Sequence, residues 1–399
     1  MENSGKVRAS ADRGTASGTA RDAAGERQRD AIGTASSGQA VVHECTAYRV
    51  RRVAILCRRE EQQRSDAIRD ASLRLGEALR AAGVDAAIIG WPLHSGAENE
   101  LARADAIVVQ YNPFSYGRRG FAPGLLALLR RLRQDDGRPV VALVIHEPYV
   151  PMVNIRWIIL GGWQRMQLAV LRVYADVVFA SIQPWTEAFS QWIPHRPTYH
   201  LPSGSNLPDL RSDREMARAA LEVGGQLVVA TLSGGHETHL TLHVERALEA
   251  IQRAVGPFTY LALGAGTRVP RCPEVVSVHA PGHLDADALA AQLAAADLFL
   301  TPLADGVSSR RTTVAAALQH GVPVLGTIGP LTDDLFRASD ALVLTPVRDV
   351  HGFAETAAAV ASDDHARATL AAAGRLLYER LLAPDIIARQ LLQGIAGAR

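Results

Sequence analysis

From residue 48 onward, short β-branched runs alternate with Ala- and Leu-rich stretches of helical period, and the alternation restarts once. Strands are expected at 50–57, 85–91, 106–111, 139–146, 176–181 and 197–204, then at 226–233, 259–266, 275–280, 296–303 and 322–328. Between the first two, 67–82 repeats its apolar residues at the helical period, and Gly83 follows at a C-cap position. A strand, a helix and a further strand in sequence pair in parallel, because the helix carries the chain back to the end of the sheet from which the first strand started. The chain therefore reads as α/β, with two Rossmann-like domains joined near the polar stretch 207–215: 48–207, and 208–399 with its closing helices. Ligands of such sheets sit beyond the carboxyl ends of the strands, so the expected site is a cleft where the two domains face each other.

Residues 1–47 lack any apolar run able to bury itself and read as a disordered tail without a signal-peptide core. The 42 basic and 41 acidic side chains leave a net charge of +1, too little for a dedicated nucleic-acid binder. Lys6 is the single lysine, so any phosphate clamp here is built from guanidinium. Cys45, Cys57 and Cys272 are few, scattered and outside metal spacing, which argues against a disulfide framework or zinc site and suits a reducing cytoplasm. The most apolar stretch, 157–180, is interrupted by Arg165 and Arg172, seven residues apart on one helical face. It reads as an amphipathic helix leading into a strand, either packed on the sheet or in peripheral contact with a membrane surface, and not as a span.

Several segments occur in a suggestive order: IHEPYVP at 145–151, LPSGSN at 201–206, a Gly-containing turn after Ser233, the block PGHLDADALAAQLAAADLFLTPLADGVSSRRTTVAAALQHGVPVLGT at 281–327, and GPLTDD at 329–334. In this order they resemble the GT-B-fold glycosyltransferases of the retaining family 4 type, over roughly residues 48–399. The resemblance implies the GT-B architecture and transfer of a hexosyl or related sugar from a nucleotide-diphosphate sugar. The acceptor, whether saccharide, lipid-linked or small molecule, is left open, and the implied setting is glycan or glycoconjugate synthesis. It implies neither a bound metal nor any other cofactor, which agrees with the lack of a paired carboxylate after a strand of the first half. A catalytically silent relative that binds a sugar nucleotide or a partner enzyme is the alternative.

On this reading Ser308, Ser309, Arg310, Arg311, Thr312 and Thr313 precede a helix whose amides and positive dipole end suit a diphosphate, with Arg310 or Arg311 adding a guanidinium contact. The same residues also suit an ordinary N-capped helix with two surface arginines. Gly234 and Gly235 allow close approach of a phosphate. The turn then departs from the family: His236, Glu237 and His239 stand where an Arg and a Lys are usual, so the clamp is either weaker, with His239 as its donor-side candidate, or relies on Arg310 and Arg311, and each histidine reads equally as a surface residue at a helix start. The family's Glu-x(7)-Glu pair is also missing, its places falling on Ser308 and Ala316. Asp305 supplies either an acidic contact or an Asp-Gly turn. His146, at a strand end, is the catalytic candidate, with Glu147 beside it on the acceptor side. Ala67 replaces a usual glycine in the first loop. Tyr111, Tyr116, Arg118 and Arg119 line either an acceptor site or a structured loop. Asp333 and Asp334 read as a helix cap. No P-loop, nucleophile elbow or dinucleotide fingerprint occurs, GAG at 264–266 being too short.

Overall fold

The structure, a computed structural model, describes residues 50–59, 67–134, 137–151, 154–211, 214–235 and 238–398. The N-terminal tail of the sequence reading, and His236 and Glu237, lie outside the described residues. The first half contains β1 (Arg52–Arg58), α1 (Ala67–Ala81), β2 (Asp85–Trp91), α2 (Ala97–Arg103), β3 (Ala106–Tyr111), α3 (Pro123–Leu132), β4 (Val140–Ile145), α4 (Ile155–Tyr174), β5 (Val177–Ala180), α5 (Gln183–Ser190) and β6 (Thr198–His200). The second contains α6 (Arg214–Ala220), β7 (Val228–Leu232), α7 (Thr241–Val255), β8 (Thr259–Leu263), β9 (Ser277–Gly282), α8 (Ala286–Ala294), β10 (Leu298–Thr301), α9 (Thr312–Gln319), β11 (Val324–Ile328), α10 (Asp334–Arg337) and β12 (Leu342–Pro346). Three helices follow: α11 (Val350–Ser362), α12 (Asp364–Leu377) and α13 (Pro384–Gly397).

The strands form two six-stranded sheets, ordered β2-β1-β3-β4-β5-β6 and β12-β11-β10-β7-β8-β9. Every pairing is parallel. The expected α/β architecture of two Rossmann-like halves is therefore present. One strand lay outside the sequence reading: β12 adds to the edge beside β11, in register Val324 with Leu342. The central strands β3, β4, β5, β7 and β8 are buried along their whole length, as helix-covered parallel strands require.

The amino ends of the strands are tied by carboxylates. Asp176, just before β5, accepts the Val141 amide at 2.9 Å and pairs with Arg138 at 2.7 Å and Arg133 at 3.3 Å. The guanidinium bond of Arg138 and the Val141 amide outweigh burial and hold this carboxyl below its ordinary range. Asp297, just before β10, does the same for the second sheet, accepting Val228 N at 2.8 Å and pairing with Arg214 and Arg218. These clamps leave the opposite, carboxyl ends free for a site.

Helix α1 ends where Gly83 takes φ +83°, the left-handed conformation expected of its C-cap position. The last helix returns to the first half. Gly394 of α13 lies so close to β5 that a Cβ there would stand 2.5 Å from the Phe179 ring, with Tyr199 3.2 Å away. Gly394→Val should overpack this contact and lower stability by about 1–3 kcal/mol. Thermal or denaturant unfolding checks this, and an unchanged midpoint would mean that α13 does not seat on Phe179.

Candidate active site between the two sheets

The carboxyl ends of β3 and β4 face those of β7 and β10 across a cleft of about 240 Å³. From the first half it is lined by Ala67, Asn112, His146 and Glu147, and from the second by Gly234, His239, Arg310, Arg311, Thr312 and Thr313. Eight of the fourteen expected site residues thus meet in one place, and Asp305 joins them through the arginines.

His146 follows β4 directly, its amide donating to Tyr111 O at 2.9 Å. Its Nε2 lies 2.6 Å from Gln110 Oε1, which makes Nε2 the protonated nitrogen and leaves Nδ1 as the acceptor. Burial pushes the His146 pKa down to about 4, so the ring is neutral at physiological pH. Glu147 accepts from Asn112 Nδ2 at 3.1 Å with one oxygen and from Arg310 Nη1 at 3.2 Å with the other.

Across the cleft, the backbone turns at Gly306 (φ +84°), and the Asp305 carboxylate ahead of it meets both arginines. Arg311 Nη2 reaches its two oxygens at 2.9 and 2.7 Å, and Arg310 Nη2 bonds one of them. Asp305 is thus a turn former whose carboxylate is engaged by the two arginines. Burial first, then repulsion from Arg310, lowers the Arg311 pKa, with Asp305 acting in the opposite direction. Arg310 also stacks over Trp185 at 5.2 Å. Two guanidiniums thus face two carboxylates, a locally balanced set, while the Nε of each arginine is buried without a partner among the described residues.

The N-cap position of helix α9 is Arg311, which forms no side-chain cap; the Val314 and Ala315 amides bond Arg311 O, so of the first turn the amides of Thr312 and Thr313 stay outside the intrahelical bonds. Ser308 and Ser309 are buried instead of facing the cleft. Ser309 is a staple between the halves: its Oγ donates to Ser181 O at 2.7 Å and accepts from His200 Nε2 at 2.9 Å, and its carbonyl accepts Ser203 N at 2.8 Å. The Asp333 side chain makes no cap bond to its own helix. Fully buried, it accepts Gln183 N and Ser309 N, each at 2.6 Å. Ala316, the other place of the missing glutamate pair, is also buried.

The acceptor-side residues divide. Tyr116 is a core residue whose hydroxyl is 2.7 Å from Leu56 O and 2.9 Å from Gln110 O. Tyr111 is wholly buried as well. Arg118 is exposed in the loop after β3 and does not line the cleft. Spacing after a strand could not separate these inward and outward positions from Glu147.

Gly234 and Gly235 (φ +81°) pack back to back with the turn at 264–266, where a Cβ on Gly266 would stand 2.5 Å from Gly234 C. The GAG run therefore matters for close approach of two loops. Beside this contact lies a second cavity of about 310 Å³, with Thr231, Ser233, Thr267 and Arg268 in its wall and His239 shared with the cleft. Its residues beyond β8 were missed because isolated Thr and Arg after a strand carry no pattern.

No family model matches the chain, and no curated protein matches it in sequence. Solved structures do match in fold. HepE of Anabaena in complex with UDP-glucose is 13% identical with a TM-score of 0.58, over 87% of this chain and 99% of that one. Sucrose-phosphate synthase from Thermosynechococcus elongatus is 16% identical with a TM-score of 0.59, over 86% and 98%. WaaG, a glycosyltransferase involved in lipopolysaccharide biosynthesis, is 14% identical with a TM-score of 0.55, over 85% and 98%. The class defined by the two sheets is thus the two-domain Rossmann-like fold that these proteins share. Among the described residues no helix is long and apolar enough to cross a membrane, and no cluster of metal-ligating side chains occurs.

The depressed pKa of His146 links folding to pH. Above about pH 6.5 the ring is neutral folded or unfolded. Between about 6.5 and 4 the unfolded chain takes up a proton that the folded one refuses, so stability falls as pH falls. His146→Gln should remove about 1–3 kcal/mol of that loss. Denaturant titrations at pH 7, 6, 5 and 4 read the difference; His200, His243 and His320, lowered in the same direction, are common to both proteins. Parallel pH curves would put the His146 ring in water.

Proposed function

We propose that the chain is a glycosyltransferase of the retaining type that takes a nucleotide-diphosphate sugar as donor. The observation that carries this reading is the pair Arg310 and Arg311 at the open start of α9, facing His146 and Glu147 across the cleft. A leaving diphosphate gains negative charge, and guanidiniums with amides at a helix start are the groups that stabilise it without a bound metal. Asp305 is the counter-ion that the diphosphate replaces, which frees its carboxylate for hydroxyls of the donor. The cleft alone is small for a sugar nucleotide. With the cavity across His239 the space enters the ~300–1,000 Å³ range of ligand sites. Gly234, Gly235, Thr312 and Thr313 then flank the phosphates, and neutral His146 hydrogen-bonds the transferred sugar, with Glu147 toward the acceptor. HepE and WaaG, alike in fold, support the reading, and the HepE structure holds UDP-glucose.

A second reading is a silent binding protein of the same fold. It is favoured by the balance of Asp305 and Glu147 against the two arginines, and by the absence of acids at 308 and 316.

Arg310→Ala should weaken nucleoside-diphosphate binding by roughly tenfold to a hundredfold, from loss of about 1.5–3 kcal/mol. His146→Ala should leave that binding nearly intact and lower transfer or donor hydrolysis by about 10²–10⁴. Calorimetry and turnover on one donor at saturation test both. Equal turnover in two equally stable proteins sinks a catalytic His146, and no activity with any donor moves the chain to the silent reading.

A further inference from the structure

Helix α4 is apolar on both sides. Its protein-facing side buries Leu168 and Leu171 in the core beside Gln164, Gln167 and Arg172, with Arg165 stacked 3.7 Å over Tyr149. Its outward side is apolar: Ile155 and Ile159 are each 69% exposed, Met166 55%, Val170 38% and Val173 44%. With Gly162 these positions follow steps of three and four residues, the seam spacing of paired helices, over about 27 Å of helix. The stripe is nearly symmetric about residue 164, since 155 mirrors 173, 159 mirrors 169–170, and 162 mirrors 166. Gly162 is a dent: a Cβ there would meet nothing within 4 Å.

A two-fold axis through residue 164 therefore lays the Met166 of one copy over the Gly162 of the other, twice, and sets Ile155 against Val173. We infer that α4 packs antiparallel on α4 of a second copy of this chain, forming a homodimer. With Ile158 at its edge, this stripe leaves roughly 550 Å² of exposed surface, enough for an interface of about 1,100 Å² in total and at the low end of the standard size. That is at the upper end of the largest patch of a typical monomer, about 300–600 Å². A bilayer surface is the weaker occupant, because interfacial helices present basic residues around the apolar face. Of the three arginines of α4, Arg165 and Arg172 are turned inward, leaving Arg156. The inference does not depend on the nucleotide reading.

Light scattering on the full chain, coupled to size exclusion, tests it. The wild type should run as a dimer. Met166→Glu and Gly162→Lys, both on the open face, should each weaken dimerisation at least tenfold while the far-ultraviolet circular dichroism of the folded chain is retained. Mixed one to one, these two variants should pair again, since the introduced charges then face each other across the axis. A wild type that is monomeric at about 100 µM overturns the proposal. So do variants that stay dimeric, or a mixture that does not pair. A monomer that instead pellets with phosphatidylglycerol–phosphatidylcholine vesicles, and loses this on Met166→Glu, assigns the stripe to a membrane surface.

Discussion

A buried carboxylate ties the two halves together beside the cleft. Asp333 accepts Gln183 N from the first half with one oxygen and Ser309 N from the second with the other, and His200 Nε2 stands 3.9 Å away. Charge-assisted bonds of this length are strong and directional, and no solvent competes for a carboxylate without exposed surface. Ser309 is the residue before Arg310, so the same anchor that joins the halves sets where the guanidiniums fall relative to His146 and Glu147. Ser309 then closes the arrangement by binding Ser181, Ser203 and His200.

The electrostatics of the cleft follow from that placement. Arg310 is held between a carboxylate of each half, Glu147 and Asp305, and Arg311 shares Asp305. Without a ligand the charges satisfy one another, which is how two adjacent arginines remain together in a partly closed space. On the proposed reading an entering anion competes with Asp305, so its affinity would report a difference between two ion pairings and not the full attraction of two free cations.

Much of this was legible in the sequence. Eleven expected strands correspond to strands of the two sheets, because helix-covered parallel strands are written as continuous apolar runs between helical segments. β12 escaped because ALVLTP lies between polar stretches and is only half-buried at the sheet edge. The cleft was legible where residues directly follow strands, as His146, Glu147, Gly234 and Gly235 do. It was not legible where side-chain direction decides. Tyr116 turns into the core, Ser308 and Ser309 go under the helix start, and Asp333 reaches past its own helix to the opposite half. Gln110, which orients His146, is the polar residue in a buried strand that a search for unexplained polarity would have found.

The inward face of α4 has a mechanical meaning for the pocket. Gln164 accepts the Val150 amide at 2.9 Å, and Arg165 covers the Tyr149 ring, so the segment just after His146 and Glu147 is fastened to the middle of a 20-residue helix. The outer surface of α4 therefore lies one helix thickness from the contacts that hold this segment of the cleft wall in place.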